Sequence, residues 1–393
     1  MERDRDSTGT GGPGDSPAPL SVAFVNSTHR WRGVKSWTLR VATGLERRGH
    51  KVHLFIARGN VFAAAAREAG LEVTEVRFGP DWNPLAVRAL RHGLASAGTQ
   101  VVVTNVSKDN RTAGPASRAL RLPILQRVGA SGDLRDRWKV RLEQRRYVDR
   151  IVVPARVIAD RLRAFPWLDA GRRVSVIANG IDLERFRPGI GQGTLRRELG
   201  LDDATPLVVA ASQISPVKGI PVLIEAFATL PALSPSPHLI LIGEGDAESA
   251  SLTQARRLGA ADRVHALGFR RDLDLLLEDA DLVAHPSMFD GEGLPNSVLE
   301  AMAKGKAIVA TRIGGTGEAV EHGVEALLVE PGDAAGLSAA LRDLLTDSEL
   351  RARLGRAARG RAERDFDERA MVARMEALLL AVRETGPRRS AAS

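Results

Sequence analysis

Cysteine is absent from the 393-residue chain. That excludes disulfides and thiolate chemistry and removes any reason to place the protein in an oxidising compartment, so the cytosol is the expected location. Long apolar runs are missing too: none approaches the roughly 18 residues that a membrane span requires. Residues 1–19 are charged and then rich in Gly, Pro, Ser and Thr; they are unlike a signal peptide and read as a disordered tail. A single Tyr, and no interleaving of Arg with aromatic residues, argue against a base-stacking surface, so nucleic acid is not an expected partner. No G-x-G-x-x-G follows the first strand candidate, which disfavours a nicotinamide dehydrogenase. No grouping of His and carboxylates stands out as a divalent-ion site, so neither a metal nor another cofactor is expected.

What is present points to two cores. The length exceeds what one hydrophobic core usually serves, and an apolar fraction of 44% is enough to fill two. The net charge of +8 conceals an asymmetry: residues 1–180 hold 31 Lys and Arg against 16 Asp and Glu, or +15, and the remainder holds 25 against 32, or −7. A basic first half suits an anionic acceptor or an acidic membrane surface. A solvated, Arg-rich surface is an equal alternative.

Short β-rich apolar runs alternate with amphipathic helical stretches, the pattern of βαβ units around a parallel sheet. Strand candidates in the first half are 20–25, 51–56, 72–76, 100–104, 123–127 and 150–153, with a strand-like RVSVIA run at 173–178. A second series is 207–211, 238–242, 263–266, 282–285, 307–310 and 326–329. The expected fold class is therefore α/β, two doubly wound domains in tandem, with ligands beyond the carboxyl ends of the strands. The expected domains are 20–180 and 181–365, joined by the turn-rich NGIDLERFRP at 179–188. A helical pattern at 348–383 is interrupted at Asp365-Phe366-Asp367, so 366–393 forms a last helix with a frayed end that returns to the first domain.

The most informative stretch is FDGEGLPNSVLEAMAKG at 289–305. It follows a strand, passes through Gly291-Glu292-Gly293 and enters a helix at Leu294 or Pro295. A strand, a glycine loop and a helix N-terminus together make an anion site suited to a diphosphate. Glu300 lies in the second turn, roughly 8 Å along the axis from the helix start. Phosphates would repel both carboxylates, whereas an ionised carboxylate accepts hydrogen bonds from a vicinal diol. Glu300 is thus assigned to a ribose and Glu292 to a transferred sugar. Taken alone, Glu292 would merely complement the helix dipole and Glu300 would be a solvated helix residue.

Glu, seven residues, Glu, set in EGLPNSVLEAMAKGKAIVAT, resembles the donor motif of the retaining glycosyltransferases of family 4, a large GT-B group. NGID at 179–182, SPVKG at 215–219, LIGEGD at 241–246, LGF at 267–269 and GEAVEHGVEALLVEPGD at 317–333 fall in the family's order. The similarity spans about residues 21–380 and is more specific in the second half. It implies a GT-B fold, two Rossmann-like domains facing a cleft, with the acceptor on the first and a UDP- or GDP-sugar on the second. It implies metal-independent transfer with retention, to a glycan, lipid-linked or small-molecule acceptor, in cell-envelope polysaccharide, lipopolysaccharide or glycoconjugate synthesis. A peripheral contact of the basic first domain with anionic membrane is a further expected partnership.

Lys218, in SPVKG, would neutralise charge developing on the leaving diphosphate. Two departures from the family pattern matter. The Arg usual five residues before this Lys is Gln213 here, and the His usual in the first domain is replaced by Arg127 in LQRVGASGD, which restores a positive charge near the cleft. Gly268 and Phe269 are implied to border the base. Gly33 and Lys35, in NSTHRWRGVKSW with His29, Arg30 and Arg32, form a phosphate or acceptor loop, and Lys108 and Asp109, just past the fourth strand, are placed to reach the same cleft. His285 and His322 read as structural strand-end residues. The basic stretch 134–150 reads as a solvated helix packed on the domain, with an interfacial helix as the alternative. A GT-B phosphorylase or epimerase, or a degenerate sugar-nucleotide-binding protein suggested by Gln213 and the missing His, remain as rival functions.

Overall fold

The computed structural model describes residues 18–29 and 33–388. The first sheet holds β1 (Ser21–Asn26), β2 (Lys51–Ala57), β3 (Glu72–Val76), β4 (Val101–Thr104), β5 (Ile124–Arg127), β6 (Arg150–Val153) and β7 (Val174–Val176), in the order β3-β2-β1-β4-β5-β6-β7. The second holds β8 (Leu207–Ala211), β9 (His238–Ile242), β10 (Val264–Ala266), β11 (Leu282–His285), β12 (Ala307–Thr311) and β13 (Ala326–Val329), in the order β10-β9-β8-β11-β12-β13. Pairing is parallel throughout both sheets. Each is a doubly wound sheet covered by helices on both faces, and this is why its central strands are continuous apolar runs buried end to end. VVVT of β4 and AIVAT of β12 are examples. The strand candidates match to within a residue or two at either end, the usual uncertainty where apolar runs meet turns.

Each sheet carries two cores, one per face. The helix Ser348–Asp365 stops at Phe366, and Asp367 caps the next helix, Glu368–Thr385, by accepting from Arg369 N at 2.8 Å. That last helix buries Met371, Val372, Met375, Leu379 and Val382 in the core shared by β1, β2 and the helix Gly33–Arg47. The chain thus crosses between the sheets twice. The crossings are stitched together where Ile181 N donates to Phe366 O (2.8 Å) and Glu368 N donates to Ile181 O (3.1 Å).

The two helices meet at a residue without a side chain. A Cβ on Gly44 would stand 2.5 Å from Val372 Cγ2, so glycine sets the closeness of the contact. Gly44→Val is expected to destabilise the protein by about 1–3 kcal/mol through overpacking. Urea unfolding should show that loss, and Val372→Ala added to it should recover a measurable part; simple additivity of the two losses would refute the contact.

Candidate functional site

The carboxyl ends of the two sheets supply loops that interlock. The loop after β11 pushes Phe289–Gly293 between the loop after β5 and the loop after β12. Ser131 N donates to Gly291 O at 2.9 Å, and Gly315 N donates to Glu292 O at 3.1 Å. A Cβ on Gly293 would lie 2.4 Å from Gly129 O, and Gly314, with φ +53, would place one 2.4 Å from Glu292 O. Backbone occupies the space a side chain would need. Arg161 adds an ion pair to Asp290 (2.6 Å) and donates to Ser131 Oγ (3.0 Å).

Glu292 is 9% exposed and fully engaged. Lys218 Nζ donates to Oε1, while Oε2 lies 3.2 Å from His285 Nε2. The other ring nitrogen of His285 is 3.0 Å from Ser297 Oγ. Burial opposes ionisation of Glu292, but His285 and Lys218 outweigh it and hold the carboxyl well below the usual carboxylate range. Lys218 is placed by the 3₁₀ turn Pro216–Lys218 after β8, and its side chain keeps 22% of its surface exposed. His285 ends β11 and was expected to be merely structural; it is the third member of this cluster. Its sequence signal was the position at a strand end seven residues before Glu292.

Glu300 sits in the second turn of the helix Asn296–Ala303. Its carboxylate is 3.6 Å from Arg40 Nη2, an arginine of the first domain that the sequence reading missed. Arg40 also donates to Gly180 O at 2.9 Å and lies 3.7 Å from Glu368. It therefore ties a candidate ribose ligand to both crossings. Burial pushes the Glu300 carboxyl up, with Arg40 and Arg185 offsetting part of the shift.

Arg127 ends β5, 5% exposed, with its guanidinium 4.7 Å from the Trp37 ring centroid. It donates to Asn179 Oδ1 at 3.4 Å. Asn179 in turn donates to Leu294 O (3.0 Å) and Asn296 Oδ1 (3.4 Å). The chain from Arg127 to the start of the Glu300 helix thus crosses the interface through one Asn of the linker. Burial lowers the Arg127 pKa to about 10, opposed by Asp133. On the same seam Glu318 accepts from Arg156 N and Val157 N, both at 2.7 Å, capping the helix Arg156–Arg163 of the other domain.

The remaining candidates divide. Gln213 is exposed in the loop after β8. Gly268, with φ +66, and the 53%-exposed Phe269 follow β10 at the sheet edge. Gly33 starts the helix Gly33–Arg47 against Asn296. Leu294 contributes its side chain to the core, so only its backbone faces the interface. Lys35 is corrected: it is fully buried and donates to His29 O (2.8 Å) and Asn60 Oδ1 (2.9 Å), so it anchors the loop and offers no surface to a phosphate. Asp109 is corrected likewise; it is buried and accepts from Ser27 N and Oγ, Asn105 N and Val106 N. Lys108 is exposed and lines a separate cavity. Arg30 and Arg32 lie outside the described residues. His322 Nδ1 accepts from Leu328 N at 3.0 Å, a structural contact. In the basic stretch, the helix Trp138–Arg146 buries Val140 but leaves Trp138 68% and Leu142 42% exposed. No helix among the described residues is long and apolar enough to cross a membrane.

Comparison with known proteins is consistent across both halves. Residues 31–185 match the family described as Glycosyltransferase Family 4, and residues 191–361 match Glycosyl transferases group 1. A D-inositol 3-phosphate glycosyltransferase from Segniliparus rotundus is 33% identical over 215 residues, 53% of this chain and 47% of that one. The protein of the same name from Salinispora arenicola is 34% identical over 258 residues, 59% of this chain and 57% of that one. The chain spans about half the length of the curated relatives it matches. Among solved structures, Anabaena Alr3699/HepE in complex with UDP-glucose superposes with a TM-score of 0.80 at 24% identity, covering 92% of this chain and all of that one, a likeness of fold.

Lys35 makes a pH prediction. Burial lowers its pKa from 10.5 to about 8, so between those values the unfolded chain binds more protons and stability rises with pH. Relative to Lys35→Met, wild type should gain up to about 3 kcal/mol of unfolding free energy from pH 8 to 10.5. A difference that stays flat across urea titrations in that window would rule out the buried ammonium.

Proposed function

Because the chain belongs to the family 4, group 1 glycosyltransferases and has their two-domain GT-B fold, we propose that it moves a sugar from a nucleotide diphosphate donor to an acceptor held by the first domain. The observation that carries the proposal is the pairing of Lys218 with Glu292 where β8 and β11 end. One is suited to a phosphate and the other to hydroxyls, and each positions the other. Binding of the donor exchanges these partners. Lys218 turns to the diphosphate and stabilises the charge that develops as it leaves. Glu292, still held by His285, accepts from sugar hydroxyls. Arg127 supplies a second cation from the facing domain, in place of the Arg that Gln213 lacks.

Glu300 accepts the ribose hydroxyls, releasing Arg40. Phe269 and Gly268 border the base, and the loop Gly291–Leu294 presents backbone N–H groups to the phosphates. Transfer proceeds with retention and without a metal, and the leaving phosphate takes the acceptor proton. The UDP-glucose bound to Alr3699/HepE supports a nucleotide-sugar donor. The names of the inositol phosphate glycosyltransferases support a polyol or glycan acceptor, and glycoconjugate synthesis at the cell envelope is the setting that suits both. Peripheral contact with anionic membrane is supported by Trp138 and Leu142, exposed on one helical face among Arg137, Lys139 and Arg141.

Calorimetric titration of UDP and GDP without added metal tests the donor site. One nucleotide should bind at micromolar affinity and lose at least 10-fold in Glu300→Ala; equal binding by the variant would sink the ribose assignment. With the matching donor, Lys218→Ala is expected to lower kcat by about 10²–10³-fold, as for the loss of one charge-stabilising donor. A variant that folds normally by circular dichroism and retains its kcat would remove Lys218 from the reaction.

A further inference from the structure

The cluster around Glu292 ends in a residue with no part in the transfer proposed above. Ser297 is the second residue of the helix Asn296–Ala303, half-buried, and its Oγ lies 3.0 Å from His285 Nδ1. His285 Nε2 lies 3.2 Å from Glu292 Oε2, and Lys218 Nζ donates to Oε1 of the same carboxylate. The side chains form a row, Lys218, Glu292, His285, Ser297, in which the ring is 3% exposed. Glu292 is ionised, so Nε2 carries a hydrogen and donates to it, and Nδ1 is the end of the ring that can vary. In a neutral ring Nδ1 accepts from the Ser297 hydroxyl; in a cationic ring Nδ1–H donates to it. A hydroxyl serves both states by turning about its C–O bond, whereas a carbonyl or an ammonium would fix one of them. Serine therefore lets a buried imidazole change charge without stranding a polar atom.

The charges that face the ring decide when it changes. They are Glu292 and, beyond it, Lys218, together with the positive end of the short helix that Ser297 opens. The strands on either side of β11 bring no charge: β8 is LVVAA, and β12, AIVAT, reaches His285 through Thr311 Oγ1, which donates to the His285 carbonyl at 3.4 Å. An ordinary imidazole is mostly neutral at about pH 7.5, and Lys218 and the helix end oppose a further positive charge while Lys218 stays on Glu292. Drawing Lys218 to a diphosphate takes the ammonium from a carboxylate that is 9% exposed and brings phosphate charge close. Both changes favour a cation on the ring.

We infer that binding of a nucleotide diphosphate draws one proton from solvent onto His285 Nδ1, and that Ser297 turns from donor to acceptor to hold it there. The inference rests on the exchange of partners proposed for Lys218 and Glu292. The proton replaces the positive charge that Lys218 withdraws, so Glu292 stays ionised and keeps its capacity to accept from sugar hydroxyls. Ser297 is a positioning residue, acting through the ring. Since the occupied site holds the proton more tightly than the empty one, nucleotide affinity falls as pH rises above the midpoint of the empty site, by up to about 10-fold per pH unit, until the bound ring has also lost its proton.

UDP and GDP are titrated calorimetrically in buffers of differing ionisation enthalpy at about pH 7.5, above the second ionisation of a terminal phosphate. The nucleotide that binds should take up about half a proton or more in wild type and almost none in His285→Gln, which keeps an N–H donor for Glu292 but cannot be charged. Ser297→Ala should lose most of the uptake, and Ser297→Thr, which restores the hydroxyl, should recover it. Binding without uptake, uptake unchanged in His285→Gln, or equal uptake in wild type and Ser297→Ala overturns the inference. A second measurement needs no nucleotide. Lys218→Met imitates the withdrawal of Lys218, and NMR titration of the His285 ring, assigned by His285→Gln, should show its midpoint about one pH unit above that of wild type, a rise that adding Ser297→Ala reduces. A midpoint that Lys218→Met leaves unmoved overturns the inference by itself. A raised midpoint in a protein that binds neither UDP nor GDP sinks the donor reading, and with it the trigger, while the exchange of charge within the cluster stands.

Discussion

A carboxylate withdrawn from water costs several kcal/mol unless its charge is matched, and Glu292, 9% exposed between two domains, is the place where this chain meets that requirement. Its two oxygens are divided between Lys218 and His285, one from the end of β8 and one from the end of β11. The backbone around it is equally constrained, since the Glu292 carbonyl takes Gly315 N and is approached closely by Gly314. The loops at the carboxyl ends of three strands, and through Gly291 and Gly293 the loop after β5, are arranged around one charged residue. A cluster balanced in this way can exchange a protein partner for a ligand without ever leaving the carboxylate unpaired.

The contacts across the seam are polar and directional. Glu318 caps a helix of the opposite domain, Asn179 links Arg127 to the start of the Glu300 helix, and Arg40 reaches Glu300 beside the stitched crossings at Ile181 and Phe366. Interfaces of this kind open and close more readily than apolar ones. Under the proposed reading Glu300 would exchange Arg40 for a ribose, so filling the site would loosen one of these contacts between the domains.

Much of this was legible in the sequence because the signals were periodic or local. Buried parallel strands announce themselves as apolar runs, and the strand, glycine loop and helix at 282–303 are legible as consecutive elements. The residues that escaped were those whose partners are distant in sequence. Arg40 looks like any helix arginine until Glu300 and Glu368 are brought to it. His285 looks like a strand end until Glu292 turns back. Lys35 misled for the converse reason: a cation in a glycine-containing loop suggests a phosphate, whereas helix geometry carries this one inward to Asn60.

The last helix has a consequence for how the molecule is made. The core around β1 and β2 includes Met371, Val372, Met375, Leu379 and Val382, residues separated from those strands by the whole second domain. During synthesis the first domain emerges early but lacks one wall of its interior until residue 382 has left the ribosome. It must wait with apolar surface uncovered while the second domain, whose sheet is contiguous in the chain, can already close. Completion of the first domain is thus a late event, coupled to the emergence of the helix Glu368–Thr385 rather than to residues 20–180 alone.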